Sequence, residues 1–135
     1  MRILGIDYGD KKIGFAFGES NIGVAVPLDV LTNHGKEQCV ESIKQKVQAD
    51  DIEKIIVGVP LSQGEHHSDT QLKKVRAFIV DLKEVLSIPI EEEDESYTTT
   101  ESIRLQKEEG ADAQEDALAA MIIVQSYLDR KKYQS

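Results

Sequence analysis

The sequence predicts a three-layer α/β domain, a five-stranded mixed sheet of order 3-2-1-4-5 flanked by helices. Three observations lead there. The runs Ile3–Ile6 and Ile55–Val59 carry no polar residue between their apolar ones, which is the pattern of strands covered on both faces. Leu72, Val75, Ile79, Leu82 and Leu86 recur at the spacing of a helix with one apolar stripe. The elements come in the order β-β-β-α-β-α-β-α-α, an antiparallel meander continued by parallel strands through right-handed crossovers.

Each element has its own local cause. After the first strand, Ile13–Gly18 and Ile22–Leu28 read as short strands joined by the turn Glu19-Ser20-Asn21, and Pro27 marks the third strand as an edge. Val40, Ile43 and Val47 place a helix within 35–50. Ser68 with Gln71 forms a capping box for the helix carrying the stripe at 72–86. Ile88-Pro89-Ile90 opens a fifth strand that ends in the acidic run Glu91–Glu95. Thr98 with Glu101 starts a further helix that Gly110 ends. The last helix runs from about Gln114 to Lys132, with Leu118, Met121, Ile122 and Leu128 facing inward.

A chain of 135 residues fits one domain, residues 1–135, with one sizeable core. No apolar run approaches the roughly 20 residues that span a bilayer, and no signal-peptide profile opens the chain. The lone Cys39 excludes an internal disulfide and reads as a small buried side chain in a helix. The expected location is the cytoplasm. The net charge of −9 argues against a broad electrostatic footprint on nucleic acid, but the charge is unevenly placed. Residues 1–90 hold 13 acids and 11 bases, a net of −2, while 91–135 hold 12 acids and 5 bases, a net of −7.

Asp7 ends the first apolar strand and opens a glycine hairpin through Gly9 and Gly14. A carboxylate there is costly to desolvate unless it meets a cation, and the glycines permit either φ > 0 or close approach of another backbone. The spacing fits two patterns. One is the first phosphate loop of the actin/hexokinase-type ATPases, Asp-x-Gly-x-x-x-x-Gly, of whose two domains this chain could supply one. The other is the opening strand of ribonuclease-H-like nucleases, where the Asp holds a divalent metal. A P-loop is excluded because Phe15, not Lys, follows Gly14.

Three groups of acids fall at element ends: Asp7, then Asp94-Glu95, then Asp112, Glu115 and Asp116 near the start of the last helix. Two-metal phosphodiester hydrolysis needs such a set, because ions roughly 3.5–4 Å apart clamp the attacking and leaving oxygens. Plainer roles compete with it. Acids at a helix start suit the helix dipole, and the run 91–95 reads equally as a solvated edge.

Four motifs in order carry a family resemblance over nearly all of the chain. They are Gly5-Ile6-Asp7-Tyr8-Gly9 with Ile13-Gly14-Phe15-Ala16; Val57-Gly58-Val59-Pro60-Leu61-Ser62-Gln63-Gly64; Asp94-Glu95-Ser96-Tyr97-Thr98-Thr99; and Asp116-Ala117-Leu118-Ala119-Ala120 with the helix behind it. Together they resemble the YqgF/RuvX family of pre-16S rRNA nucleases, also described as Holliday-junction-resolvase-like, with a ribonuclease-H-like fold. The resemblance implies a nuclease dependent on Mg²⁺ or Mn²⁺, with Asp7, Asp116 and Glu95 as metal ligands and Asp94 as the alternative to Glu95. It implies nucleic acid as partner, either pre-rRNA in ribosome precursors or branched DNA, with a non-catalytic binding module as the rival from another class. Ser96 stands where the family has Arg, which removes a fixed cation beside the carboxylates. Lys11, Lys12, Lys73, Lys74 and Arg76 are the candidate basic rim for the nucleic acid. His66-His67 in a Gly-rich loop carry only a weak metal or general-base signal. In the order 3-2-1-4-5 the fifth strand lies about 10 Å from the first, so the chain after residue 93 must bend back toward Asp7.

Overall fold

The computed structural model describes residues 1–60, 68–94 and 115–134. Its strands are β1 (Arg2–Tyr8), β2 (Lys12–Glu19), β3 (Val24–Thr32), β4 (Lys54–Val59) and β5 (Ile90–Asp94). Its helices are α1 (Lys36–Ala49), α2 (Ser68–Val85) and α3 (Glu115–Gln134). The sheet has the expected order β3-β2-β1-β4-β5. β1–β2 and β2–β3 pair antiparallel, while β1–β4 and β4–β5 pair parallel.

The apolar strands are buried twice over. On one face Leu4, Ile6, Phe15, Ile55 and Val57 pack against Ile43 of α1 and Phe78 and Leu82 of α2. On the other, Ile3, Ala16 and Ile56 pack against Ala120, Ile123 and Val124 of α3. Helices on both sides explain why β1 and β4 show no polar alternation. Each fully buried side chain of this size contributes about 1.5–3 kcal/mol. Tyr8 stacks on Phe78 with ring centroids 4.2 Å apart, which fixes the end of β1 against α2. Cys39 is buried as expected, and burial pushes its thiol pKa up. Among the described residues no helix is long and apolar enough to cross a membrane.

Two elements differ from the sequence reading. β3 begins at Val24, because the carbonyl of Glu19 accepts the N–H groups of both Ile22 and Gly23 and holds the chain in a turn. Gly23 sits there at φ 80°, where a side chain would be strained, and Ile22 is left 72% exposed. Further along, the register jumps from Phe15↔Asp29 to Ala16↔Pro27, so the edge strand bulges beside the proline that cannot donate to a ladder.

The inward face of α3 is the other difference. Ala120, Ile123, Val124, Tyr127 and Leu128 form it; Ile122 and Leu128 are buried as expected, whereas Leu118 is half-buried and Met121 packs only at its margin. The cause is steric. A Cβ on Gly5 would overlap Val124 and lie 3.1 Å from the Ala120 carbonyl, and one on Gly18 would lie 2.6 Å from Val124 Cγ1. The helix therefore turns its small residues to the glycines. The helix expected between Thr98 and Gly110 lies outside the described residues.

Candidate functional site

β1 ends at the carboxyl edge of the sheet, and Gly14 of β2 is the register partner of Asp7. Directly opposed residues of an antiparallel pair sit about 4.5–5.5 Å apart at Cα and turn their side chains to the same face. That face belongs to α3. A Cβ on Gly14 would overlap the carbonyl of Asp116 outright and lie 2.9 Å from the Ala117 nitrogen. The first turn of α3 thus rests on the bare backbone of Gly14, and Asp116 begins its helix beside Asp7. Both residues are half-buried. Neither Gly14 nor Gly9 has a positive φ, so close approach is what these positions require. Gly9 closes the β1–β2 turn by donating to the Lys12 carbonyl at 3.0 Å, and a Cβ on it would stand 2.6 Å from that oxygen.

The acidic run on β5 is divided by the pleat. Glu91 pairs with Lys54, whose Nζ also donates to the Tyr127 hydroxyl at 2.8 Å. Glu92 accepts two hydrogen bonds from Arg76 of α2, at 3.0 and 3.1 Å. Glu93, only 8% exposed, accepts from Ser126 and Arg130 of α3. Successive residues of a strand point to opposite faces, so Asp94 follows Glu92 onto the α2 face while Asp7 lies on the α3 face. Three acids of the run are therefore ion-paired structural residues, neither ligands nor a loose solvated edge. Hydrogen bonds to these acids raise the pKa of Arg76 and of Arg130.

Most of the candidate rim lies on the α2 side of the same edge, while Lys12, two residues before Gly14 in β2, alternates onto the α3 face. Lys11, Lys12, Lys73 and Lys74 are exposed, and Lys74 pairs with Asp10 at 3.2 Å. Lys36 joins them, lining with Tyr8, Asp10, Lys73 and Lys74 a cavity of about 280 Å³. Nothing in the local sequence marks Lys36 out; only the packing of α1 beside α2 brings it there. Arg76 is already held by Glu92. The amide of Gln71 donates to the Tyr8 carbonyl at 3.1 Å, tying the start of α2 to the end of β1.

Asp7 and Asp116 are hard oxygen donors. Mg²⁺ is commonly held by one or two carboxylates, its other positions filled by water and substrate phosphate, so this pair suits it. Among the described residues no group of three His, Cys, Asp or Glu is placed to hold a metal. Glu95, Asp112 and His66-His67 lie outside the described residues, and Arg130, a fixed cation near β5 that the motifs did not mark, holds Glu93.

An antiparallel meander continued by parallel crossovers, with an acid ending the central strand and a closing helix packed beside it, defines a ribonuclease-H-like protein of the resolvase class. The fold is similar to that of Thermus thermophilus RuvC in complex with Holliday junction substrate: TM-score 0.64, 10% identity, 98% of this chain and 96% of that one covered. The Fowlpox virus Holliday junction resolvase gives a TM-score of 0.59 at 13% identity, over 96% of this chain and 99% of that one. At such identities the likeness establishes the fold alone. The chain belongs to the RuvX family: the family model described as "RuvX: Holliday junction resolvase" matches residues 1–130. Among its relatives, a Thermoanaerobacter pseudethanolicus protein named "Putative pre-16S rRNA nuclease" is 38% identical, covering 98% of this chain and 99% of its own. Proteins of the same name from Caldanaerobacter subterraneus and Chloroflexus aggregans are 36% and 32% identical, covering 98% and 96% of this chain and 99% and 94% of their own.

Proposed function

We propose that this protein is a divalent-metal-dependent nuclease that hydrolyses phosphodiester bonds during 5′ maturation of pre-16S rRNA, working in the cytoplasm on ribosome precursors. The observation that carries the reading is the seat of Asp116 on Gly14, directly across from Asp7. Membership of a nuclease family and the names of the relatives support the reaction class and the RNA. Asp7, Asp116 and Glu95 are the proposed ligands for Mg²⁺ or Mn²⁺. Glu95 is preferred to Asp94 because Asp94 alternates onto the face away from Asp7. When bound, the ion offsets the charge of the phosphodiester and activates a water for attack.

The chain's own residues do the positioning. The central strand holds Asp7 rigidly, and the Gly14 contact sets the first turn of α3. Lys11, Lys12 and Lys73 align the backbone phosphates along the edge. Lys36, Lys74 and Arg76 have lesser parts, since Asp81, Asp10 and Glu92 offset their charges.

Cleavage of an RNA spanning the mature 5′ end of 16S rRNA, measured beside a four-way DNA junction with and without Mg²⁺, tests the proposal. Metal-dependent cut RNA is the expected result. Cleavage of the junction alone would transfer the reading to branched DNA, which the family description favours. Cleavage of neither would leave a binding module.

The metal can be tested without turnover. Mg²⁺ that binds only the folded protein stabilises it by about 2.7 kcal/mol at a hundred times its Kd, so Tm is expected to climb with metal concentration. In Asp7→Asn that climb should shrink to a small residue. Differential scanning calorimetry across a Mg²⁺ series reads this directly, and equal responses of the two proteins would remove Asp7 from the ligand set.

A further inference from the structure

At the end of the sheet opposite Asp7, a second cavity of about 640 Å³ opens between the last turns of α3, the start of β1 and the β2–β3 turn. Ile3, Tyr127 and Leu128 form its floor, and Lys54, Lys131 and Lys132 stand around it. Glu19 binds the N-terminal amine at 2.8 Å, which lowers its pKa, and Asp129 keeps its charge while accepting from the Gln125 amide at 3.0 Å. Lys54 and Arg130 are offset by Glu91 and Glu93, so the positive excess comes from Lys131 and Lys132. In a chain of net charge −9 this is a locally basic pocket, and the carboxylate chemistry at the other edge makes no use of it.

Its construction indicates what it takes. Three cations gather around one ring: Lys54 Nζ, the Arg130 guanidinium and Lys131 Nζ lie 5.3, 5.5 and 5.6 Å from the centroid of Tyr127. Tyr127 itself is only 4% exposed, so it anchors the cations and offers no face on which a base could stack. Recognition here is by charge, which selects a phosphate over a nucleobase. The distance to the carboxylates is set by one helix. From Asp116 to Lys131 is fifteen residues, about 22 Å at 1.5 Å per residue. Between Ala117 and Leu128 that helix carries no charged residue, so no acid on it repels a strand running between the two ends.

We propose that the Lys54–Lys131–Lys132 pocket binds a backbone phosphate of the substrate, about 22 Å from the scissile bond, so that the preferred substrate carries a double-helical arm of at least about seven base pairs. At 3.4 Å per nucleotide along a strand of B-DNA seven steps cover that span, and an A-form RNA stem, with its smaller rise per pair, needs about one more. This rests on the nuclease reading for the scissile end, while phosphate binding by the pocket stands without it. Lys131 and Lys132 also suit the carbonyl end of α3, and a test must separate the two roles.

The experiment measures fluorescence anisotropy, in EDTA so that no cleavage intervenes, with RNA hairpins of 4, 6, 8, 10 and 12 base pairs. Wild type, Lys131→Ala/Lys132→Ala and Lys131→Arg/Lys132→Arg are compared. The wild type is expected to bind the stems of eight pairs and more clearly tighter than the shorter ones. The alanine pair should lose that step, with a salt slope shallower by about 1–2, and the arginine pair should keep it. A step of equal size in the alanine pair, at unchanged Tm, overturns the proposal. So does saturable binding of AMP or inorganic phosphate, seen as shifts of the Ile3 and Gly23 amides in ¹H–¹⁵N spectra, without any dependence on stem length; the pocket is then a small-anion site. Stem-dependent binding by a wild type that never cleaves RNA in Mg²⁺ sinks the nuclease reading and keeps the pocket. Cleavage without stem dependence does the reverse.

Discussion

Asp7→Asn is expected to abolish cleavage while leaving the fold and most substrate binding in place. The amide keeps the size and shape of the side chain, so the packing of β1 and the seat of α3 on Gly14 are untouched. On the proposed reading, what disappears is the negative charge that would hold a divalent ion beside the phosphodiester. A loss of about 10³-fold or more in single-turnover rate, about 4 kcal/mol of transition-state stabilisation, follows from removing such a ligand. If Asp7 is a ligand and the rim lysines bind, as proposed, the loss should fall on the chemical step. Affinity in EDTA should rise slightly, since one charge that repels phosphate is gone. Single-turnover rates and anisotropy on the same RNA separate these effects. Cleavage by the variant at the wild-type rate would leave only the binding-module reading standing.

The sheet was legible in the sequence because its causes are local and strong. Two uninterrupted apolar runs have few ways to be buried other than under helices on both faces, and Pro27 cannot sit in a central strand. The placement of Asp7 and Asp116 at one edge was legible in the motifs, and the structure sets both against Gly14. The acidic run was not legible. Composition treats Glu91, Glu92, Glu93 and Asp94 as one group, but the two-residue period of a strand sends them to opposite faces, and the cations of the three glutamates come from 16 to 37 residues away. No window along the chain contains both partners. The phase of α3 was legible only in part, with Ile122 and Leu128 buried as expected but Leu118 and Met121 half-buried, for a different reason. From Ala117 to Val124 the helix is apolar on every side, so periodicity leaves its orientation open, and the glycines of β1 and β2 decide it from outside. Lys36 entered the rim in the same way, through the packing of one helix on another.

Those glycines give the second large effect, and Gly14 is the decisive one. The group a methyl would strike is backbone: the Asp116 carbonyl and the Ala117 nitrogen at the start of α3. A rigid helix end cannot swing aside as a side chain can, so Gly14→Ala must push the first turn of α3 off the sheet. Overpacking of this kind costs about 2–4 kcal/mol, which lowers Tm by about 10 °C in a domain of this size. If Asp116 is a ligand as proposed, displacing its carboxylate by about 1 Å costs on the order of 10²-fold in rate. Gly18→Ala supplies the control. Its Cβ meets Val124 Cγ1 at 2.6 Å and Leu128 Cδ1 at 3.4 Å, side-chain ends that can rotate, and it lies at the end of β2 away from Asp7. That variant should lose about 1 kcal/mol of stability and keep its rate at temperatures well below its Tm. Stability measured by urea denaturation and single-turnover cleavage at 20 °C would be compared for the two. If Gly14→Ala were destabilised yet cleaved as fast as Gly18→Ala, the contact between β2 and α3 would be packing alone. A rate lost beyond what the folded fraction explains, together with a weakened thermal response to Mg²⁺, would show that the missing side chain of Gly14 is what brings Asp116 to Asp7.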